Sequence, residues 1–229
     1  MLALLFGASL LYATVGQAGG TGFLALMALV SFSPSEMRPT ALLLNVVASS
    51  YSTWVFNRGR SVDWAKLRPL LVSSLPTALV GGLIVLDERL YKTVTGLVLL
   101  SAAMLLASRR TQDGENDRPT PLLGAIITGA AVGFASGLTG VGGGVFLAPI
   151  LIALHWASPR QTAALSSPFI WANSVVGLAG ATYVGQRPPA PGSRAIDLSR
   201  ADVATLKMFC LAIRRNATNE SQQTRIRKS

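Results

Sequence analysis

The chain is written in long uncharged apolar stretches separated by short polar ones. Met1–Phe32, Thr40–Phe56, Pro69–Leu86 and Thr93–Ala107 carry no charge, and none falls between Arg118 and Arg160. An apolar run of about 18 residues or more can cross a hydrocarbon core of about 30 Å as a helix. Several such runs cannot all be buried in one soluble core of this size. The pattern therefore predicts an all-α, polytopic membrane protein, with spanning helices over Pro39–Phe56, Pro69–Leu86, Leu90–Ala107, Leu122–Thr139 and Gln161–Val184. Glycine interrupts two segments. Leu2–Val15 and Phe23–Phe32 flank the glycine-rich Gly16–Gly22, and Leu122–Thr139 and Val145–Trp156 flank Gly140–Gly144. Each is expected to be a hairpin of broken helices.

The two hairpins are related in sequence. Gly19-Gly20 followed by Phe23-Leu24-Ala25 matches Gly142-Gly143 followed by Phe146-Leu147-Ala148 at an offset of 123, and Ser33-Pro34 matches Ser158-Pro159. A helix with one asparagine follows each, Asn45 in the first and Asn173 in the second. The ordered matches predict a duplicated unit. Three helices separate the hairpins, an odd number, so the units are expected to be inverted repeats. The second is incomplete: beyond Val184 its longest apolar stretch, Val203–Ile213, contains Lys207 and is too short to cross. That end reads as truncated, frameshifted or divergent. The expected organisation is a first transmembrane repeat over 1–108, a polar loop over 109–121, a second, incomplete repeat over 122–185, and a polar, basic, disordered tail over 186–229.

Composition sharpens this picture. Half of the 229 residues are hydrophobic, and only 13% are charged, about half the share of a soluble domain. A net charge of +10 would suggest nucleic acid in a soluble protein, but nine of the twenty Lys and Arg lie beyond Gly185 and the rest fall between apolar runs. Nucleic acid is therefore not an expected partner. The Asn57–Arg68 and Ser108–Pro121 segments are richer in Lys and Arg than those around Arg38 and around Arg89 and Lys92, which puts the first pair in the cytoplasm and the amino terminus outside. No Lys or Arg precedes the apolar Leu2–Ala13, so it reads as a membrane element and not a signal peptide. One cysteine and one histidine leave no metal cluster or disulfide framework within the chain, and no cofactor is expected. No GK[ST] follows either glycine run, which argues against a nucleotide P-loop.

Gly140-Val-Gly-Gly-Gly-Val-Phe-Leu-Ala-Pro149 resembles the glycine-rich signature of the TauE/SafE sulfite-exporter family, and Val15-Gly-Gln-Ala-Gly-Gly-Thr-Gly22 resembles its first-half counterpart. The following helices, with Asn45, Ser166-Ser167 and Asn173-Ser174, are similar as well; Gln17-Ala18 and the missing last helices depart from the pattern. The resemblance covers about Gly7 to Tyr183 and implies a plasma-membrane transporter of small sulfur-containing anions such as sulfite or sulfonates. It leaves homo-oligomers open.

The residues give that implication a physical form. A glycine run breaks a helix, and inside a bilayer the freed backbone groups are tolerated only against protein or a watery cavity. The piece after the break starts with free N–H groups at a positive dipole end. Two such ends meeting near the midplane would hold an anion without a formal charge. The expected substrate-binding residues are Gly19, Gly20, Asn45, Gly142, Gly143, Gly144 and Asn173, the asparagines serving either as neutral donors to the substrate or as hydrogen-bond partners of neighbouring helices. Close packing is the alternative role for glycine, and it is the one expected for Ala125, Gly129, Gly133 and Gly137, a stripe at four-residue spacing. Ser166, Ser167 and Thr139 are expected to bond local backbone; His155, Trp54, Trp64 and Trp156 are expected at the membrane interface. An anion channel and a structural or partial subunit are the competing functions. An enzyme is not expected, because no carboxylate lies in a predicted span and His155 lacks a partner.

Overall fold

The computed structural model describes residues 34–59, 61–107 and 120–186. The first hairpin with Gly19 and Gly20, most of the polar loop and the tail beyond 186 lie outside the described residues. Six α-helices make up the described part: α1 Pro34–Arg58, α2 Trp64–Leu83, α3 Glu88–Ala107, α4 Leu122–Thr139, α5 Gly144–Ala153 and α6 Pro159–Tyr183.

Local chemistry sets their ends. Asp63 caps α2, its carboxylate accepting from the N–H groups of Ala65 at 3.1 Å and Lys66 at 3.3 Å. This cap starts α2 earlier than the apolar pattern predicted, so Lys66 and Arg68 belong to a helix and not to a loop. Ser158 caps α6 through Gln161 N–H at 3.4 Å, with Pro159 in the first turn. Gly140 ends α4 in the left-handed region at φ 80°, a conformation that costs a side-chain-bearing residue about 1–2 kcal/mol.

The glycine stripe welds α2 to α4. A Cβ on Gly129 would lie 3.0 Å from Leu70 Cα, one on Gly133 2.7 Å from Ser74 Cα, and one on Gly137 2.9 Å from Ala78 Cα. Backbone touches backbone along the whole seam, as the four-residue spacing predicted. Partner numbers rise together, so α2 and α4 run parallel and start at the same face. The same face receives the end of α5: Gly124 packs on the Trp156 ring, and Lys66 Nζ donates to Trp156 O at 3.1 Å. The second hairpin thus begins and ends on one side. α1 and α6 run antiparallel, with Leu42 against Gly177 and Asn45 near Ser174.

Polar and apolar surfaces are distributed inside out. Val72, Leu97, Leu100, Met104, Ile127 and Leu123 face outward, whereas Asn45, Ser49, Ser74, Ser136, Ser166, Asn173 and Ser174 are buried. Water would reward the reverse; lipid rewards this arrangement. Among the described residues Leu122–Thr139 is the one helix long and apolar enough to cross a membrane by itself. The helices α1 and α6 bury polar residues such as Asn45, Ser49, Ser166 and Asn173, which dilutes their mean hydropathy.

Two expectations change. Trp156 is buried in the core beneath α4 and is no interface anchor, while Trp54 and Trp64 are exposed. Arg38, read as a loop residue, sits inside α1 and is 1% exposed.

Candidate functional site

The site forms where α4 stops and α5 starts. Gly140, Gly142 and Gly143 all have φ near +80°, so three of four consecutive residues are conformations that glycine alone adopts cheaply. The chain reverses there, and α5 begins at Gly144 after Gly143, an N-cap residue that offers no side chain to its N-terminus. The N–H groups of Phe146 and Leu147 bond back to Gly143 O at 3.1 and 3.0 Å. Those of Gly144 and Val145 have no backbone acceptor of that kind, which leaves the positive pole of α5 open.

Helices α1, α4 and α6 close around this break. Gly142 lies against Asn45 and α6: a Cβ there would be 2.8 Å from Asn45 Nδ2, 3.0 Å from Ile170 Cγ2 and 3.2 Å from Ser174 Oγ. Gly143 faces Phe169 and the Cβ of Ser136, and Gly144 faces Ile170 and Ser166. Asn173 shares a helix stripe with Phe169, which touches Gly143, and with Gly177, which touches Gly137. The structure therefore brings Asn45, Gly142, Gly143, Gly144 and Asn173 into one region.

This region is polar, buried and short of partners. Nine buried side-chain atoms among the described residues have no hydrogen-bond partner, and five of them surround the break: Asn45 Oδ1, Ser136 Oγ, Ser166 Oγ, Asn173 Oδ1 and Ser174 Oγ. An orphaned buried polar group costs about 1–3 kcal/mol, so such a cluster is expected where a ligand or water completes it. The asparagines differ from the simple donors expected. Asn45 Nδ2 already donates to Gly140 O at 3.3 Å and Asn173 Nδ2 to Phe169 O at 2.9 Å. Each amide keeps one N–H and a bare oxygen, so the hydroxyls of Ser136, Ser166 and Ser174 are the freest donors. Ser166 was expected to bond its own helix and does not; Ser167 and Thr139 do, through Ala163 O at 3.3 Å and Ala135 O at 2.7 Å. His155 is exposed and away from this cluster.

Arg38 stands next to the break. Its Cγ is 3.2 Å from the position a Gly140 Cβ would take. Nε donates to Gly137 O at 3.0 Å and Nη2 donates to Gly137 O and Gly81 O, both at 2.6 Å. Nη1 donates to Ile84 O at 2.8 Å and to Gln186 Oε1 at 3.5 Å. Together these engage all five guanidinium N–H groups, chiefly on carbonyls at the C-terminal ends of α2 and α4. Tyr91 caps the same end of α4, donating to Thr139 O at 2.8 Å. α4 covers about 27 Å before breaking, most of a hydrocarbon core.

Sequence reasoning missed Arg38 and Ser136. Arg38-x-Thr40-Ala41-x-Leu43 recurs as Arg160-x-Thr162-Ala163-x-Leu165, a repeat that marks Arg38 as part of the duplicated unit and not a loop charge. Ser136 is one turn before Gly140 in a helix whose other polar residues are Thr128 and Thr139.

Comparison with known proteins decides the family. The sulfite exporter TauE/SafE family matches residues 1–197. The chain belongs to that family. A relative from Sinorhizobium fredii, named a probable membrane transporter protein, is 41% identical over 180 residues, 77% of this chain and 73% of its own length. A probable membrane transporter protein of Methanocaldococcus jannaschii is 28% identical over 127 residues, 54% of this chain and 48% of its own. No solved structure matches. As a TauE/SafE family member the chain is a multi-pass membrane transporter and not an enzyme, and the outward apolar surface of α1–α6 has its natural partner in lipid.

Proposed function

We propose that this chain moves small anions across the plasma membrane by secondary transport, with sulfite or an organosulfonate as the substrate class, and that the break at Gly140–Gly144 holds the anion. The observation that carries the reading is the coincidence of an uncapped helix start after Gly143 with five orphaned buried polar atoms and, among the described residues, no buried carboxylate. Hydroxyls of Ser136, Ser166 and Ser174, the remaining N–H of Asn45 and Asn173, and the backbone of Gly142, Gly143 and Gly144 are neutral donors suited to oxyanion edges. Neutral donors hold an anion without the deep well of a buried ion pair, and release is half of transport. Gly19 and Gly20 are the counterparts proposed from the first hairpin. The antiparallel pairing of α1 with α6 supports an inverted repeat, since the two helices bearing Asn45 and Asn173 would be exchanged by an in-plane two-fold axis.

Gradient-driven sulfite uptake into liposomes containing the purified protein tests this reading. Saturable flux that organosulfonates inhibit is expected. Flux that never saturates would favour a channel, and none at all would favour a structural subunit.

A further inference from the structure

The break presents two helix poles, and they have opposite signs. The start of α5 after Gly143 is positive and suits an anion; the end of α4 at Thr139–Gly140 is negative and repels one. The C-terminal end of α2 adds a second negative pole beside it, since Gly81 packs against Gly137 and Leu138. An anion site built on α5 alone would therefore sit in the field of two wrong-signed ends. Arg38 is placed where that field originates, with its guanidinium bonded to Gly137 O, Gly81 O and Ile84 O. No carboxylate pairs with it among the described residues, and Lys92 and Glu88, which do form an ion pair, face each other on the surface of α3.

We propose that Arg38 is the charge-selectivity residue of the site, acting without touching the substrate: it cancels the negative ends of α2 and α4, so that the positive end of α5 sets the preference for an anion. The inference rests on the break being the anion site. Two arguments favour a field effect over direct ligation. All five N–H groups are spent on protein acceptors, so none is left for a substrate. Asn45 lies two helical turns from Arg38 along α1, roughly 10 Å, beyond contact but within the range of an unscreened charge in a poorly polarisable interior.

A field effect scales with ligand charge and a structural tie does not. Gln186 gives a clean handle, because its Oε1 already accepts from Arg38 Nη1 at 3.5 Å. Gln186→Glu is nearly isosteric and sets a carboxylate against the guanidinium. As a tie it should be as good or better; as a counter-charge it should remove much of the positive field. Sulfite binding to the purified protein would be measured on either side of the acid's second deprotonation, where the ligand is a monoanion or a dianion, with methanesulfonate as a fixed monoanion. The proposal expects Gln186→Glu to weaken monoanion binding about threefold and dianion binding about tenfold, with the melting temperature unchanged or raised. Arg38→Lys keeps the charge with three N–H groups in place of five; it should lose stability and hold the anion within about twofold. Equal or no weakening of the two charge states in Gln186→Glu would overturn the proposal, as would Arg38→Lys losing affinity in step with its stability. If wild-type protein bound no anion at any pH, the reading of the site would fail first and this inference with it, a result distinct from a failure of the charge scaling.

Discussion

Two runs of glycine lie end to end in this molecule and do opposite things. Gly129, Gly133 and Gly137 stay helical, and their missing side chains let α2 and α4 meet along a seam of backbone contacts. Gly140, Gly142 and Gly143 leave the helix through positive φ, and polar side chains from three helices gather around them. The first run uses the absence of Cβ to fill space and the second uses it to turn the chain. Spacing distinguishes them. Glycine every fourth residue stays on one helix face, whereas consecutive glycines share no face and cannot make a seam. A stability role is therefore expected upstream of Thr139 and a transport role downstream of it.

The largest expected effect is on the seam. Gly137→Ala would drive a Cβ into the Ala78 backbone, which no rotamer change can relieve. It should cost about 3 kcal/mol and sharply reduce folded yield, read from monodisperse protein after detergent extraction. A normally folded Gly137→Ala protein would mean that α2 and α4 do not touch as described.

Next comes the break. Gly143→Ala meets Phe169 Cε1 at 3.0 Å and Val132 Cγ1 at 3.2 Å, side-chain atoms that can give slightly, and it adds left-handed strain. A loss of about 1–2 kcal/mol with most sulfite flux gone is expected, a far worse ratio of function to stability than in the seam. Equal losses in both properties would erase the distinction between the two runs.

A third prediction concerns sidedness. Because α2 and α4 run parallel, cysteines at Ser61 and Thr120, just before each helix, should label from the same side of sealed vesicles. Labelling from opposite sides would contradict the parallel seam.

How legible all this was in the sequence depends on which physical signal each residue left. The apolar runs specified the helices, and Leu122–Thr139 has the predicted bounds. The four-residue spacing of small residues announced the seam. Helix starts were less visible, because Asp63 caps α2 from within a stretch that charge alone marked as loop. Arg38 was misread for a related reason. A lone arginine next to proline looks like a loop, and only the surrounding carbonyls, contributed by residues 43 to 148 positions away, make its burial tolerable. The glycine motif and the asparagines pointed to the break. That the hydroxyls of Ser136, Ser166 and Ser174 stay free could not be read in advance, since serine in a helix ordinarily bonds its own backbone, as Ser167 does here.

On the proposed reading, those free hydroxyls are kept for a substrate at the cost of stability. Equilibrium binding of labelled sulfite to purified Ser166→Ala, with its melting temperature measured in parallel, tests it most directly. Removing an orphaned buried hydroxyl should leave stability unchanged or raise it by up to about 1 kcal/mol, while affinity falls about tenfold for the loss of one hydrogen bond to a charged ligand. Unchanged sulfite affinity in Ser166→Ala would contradict the account.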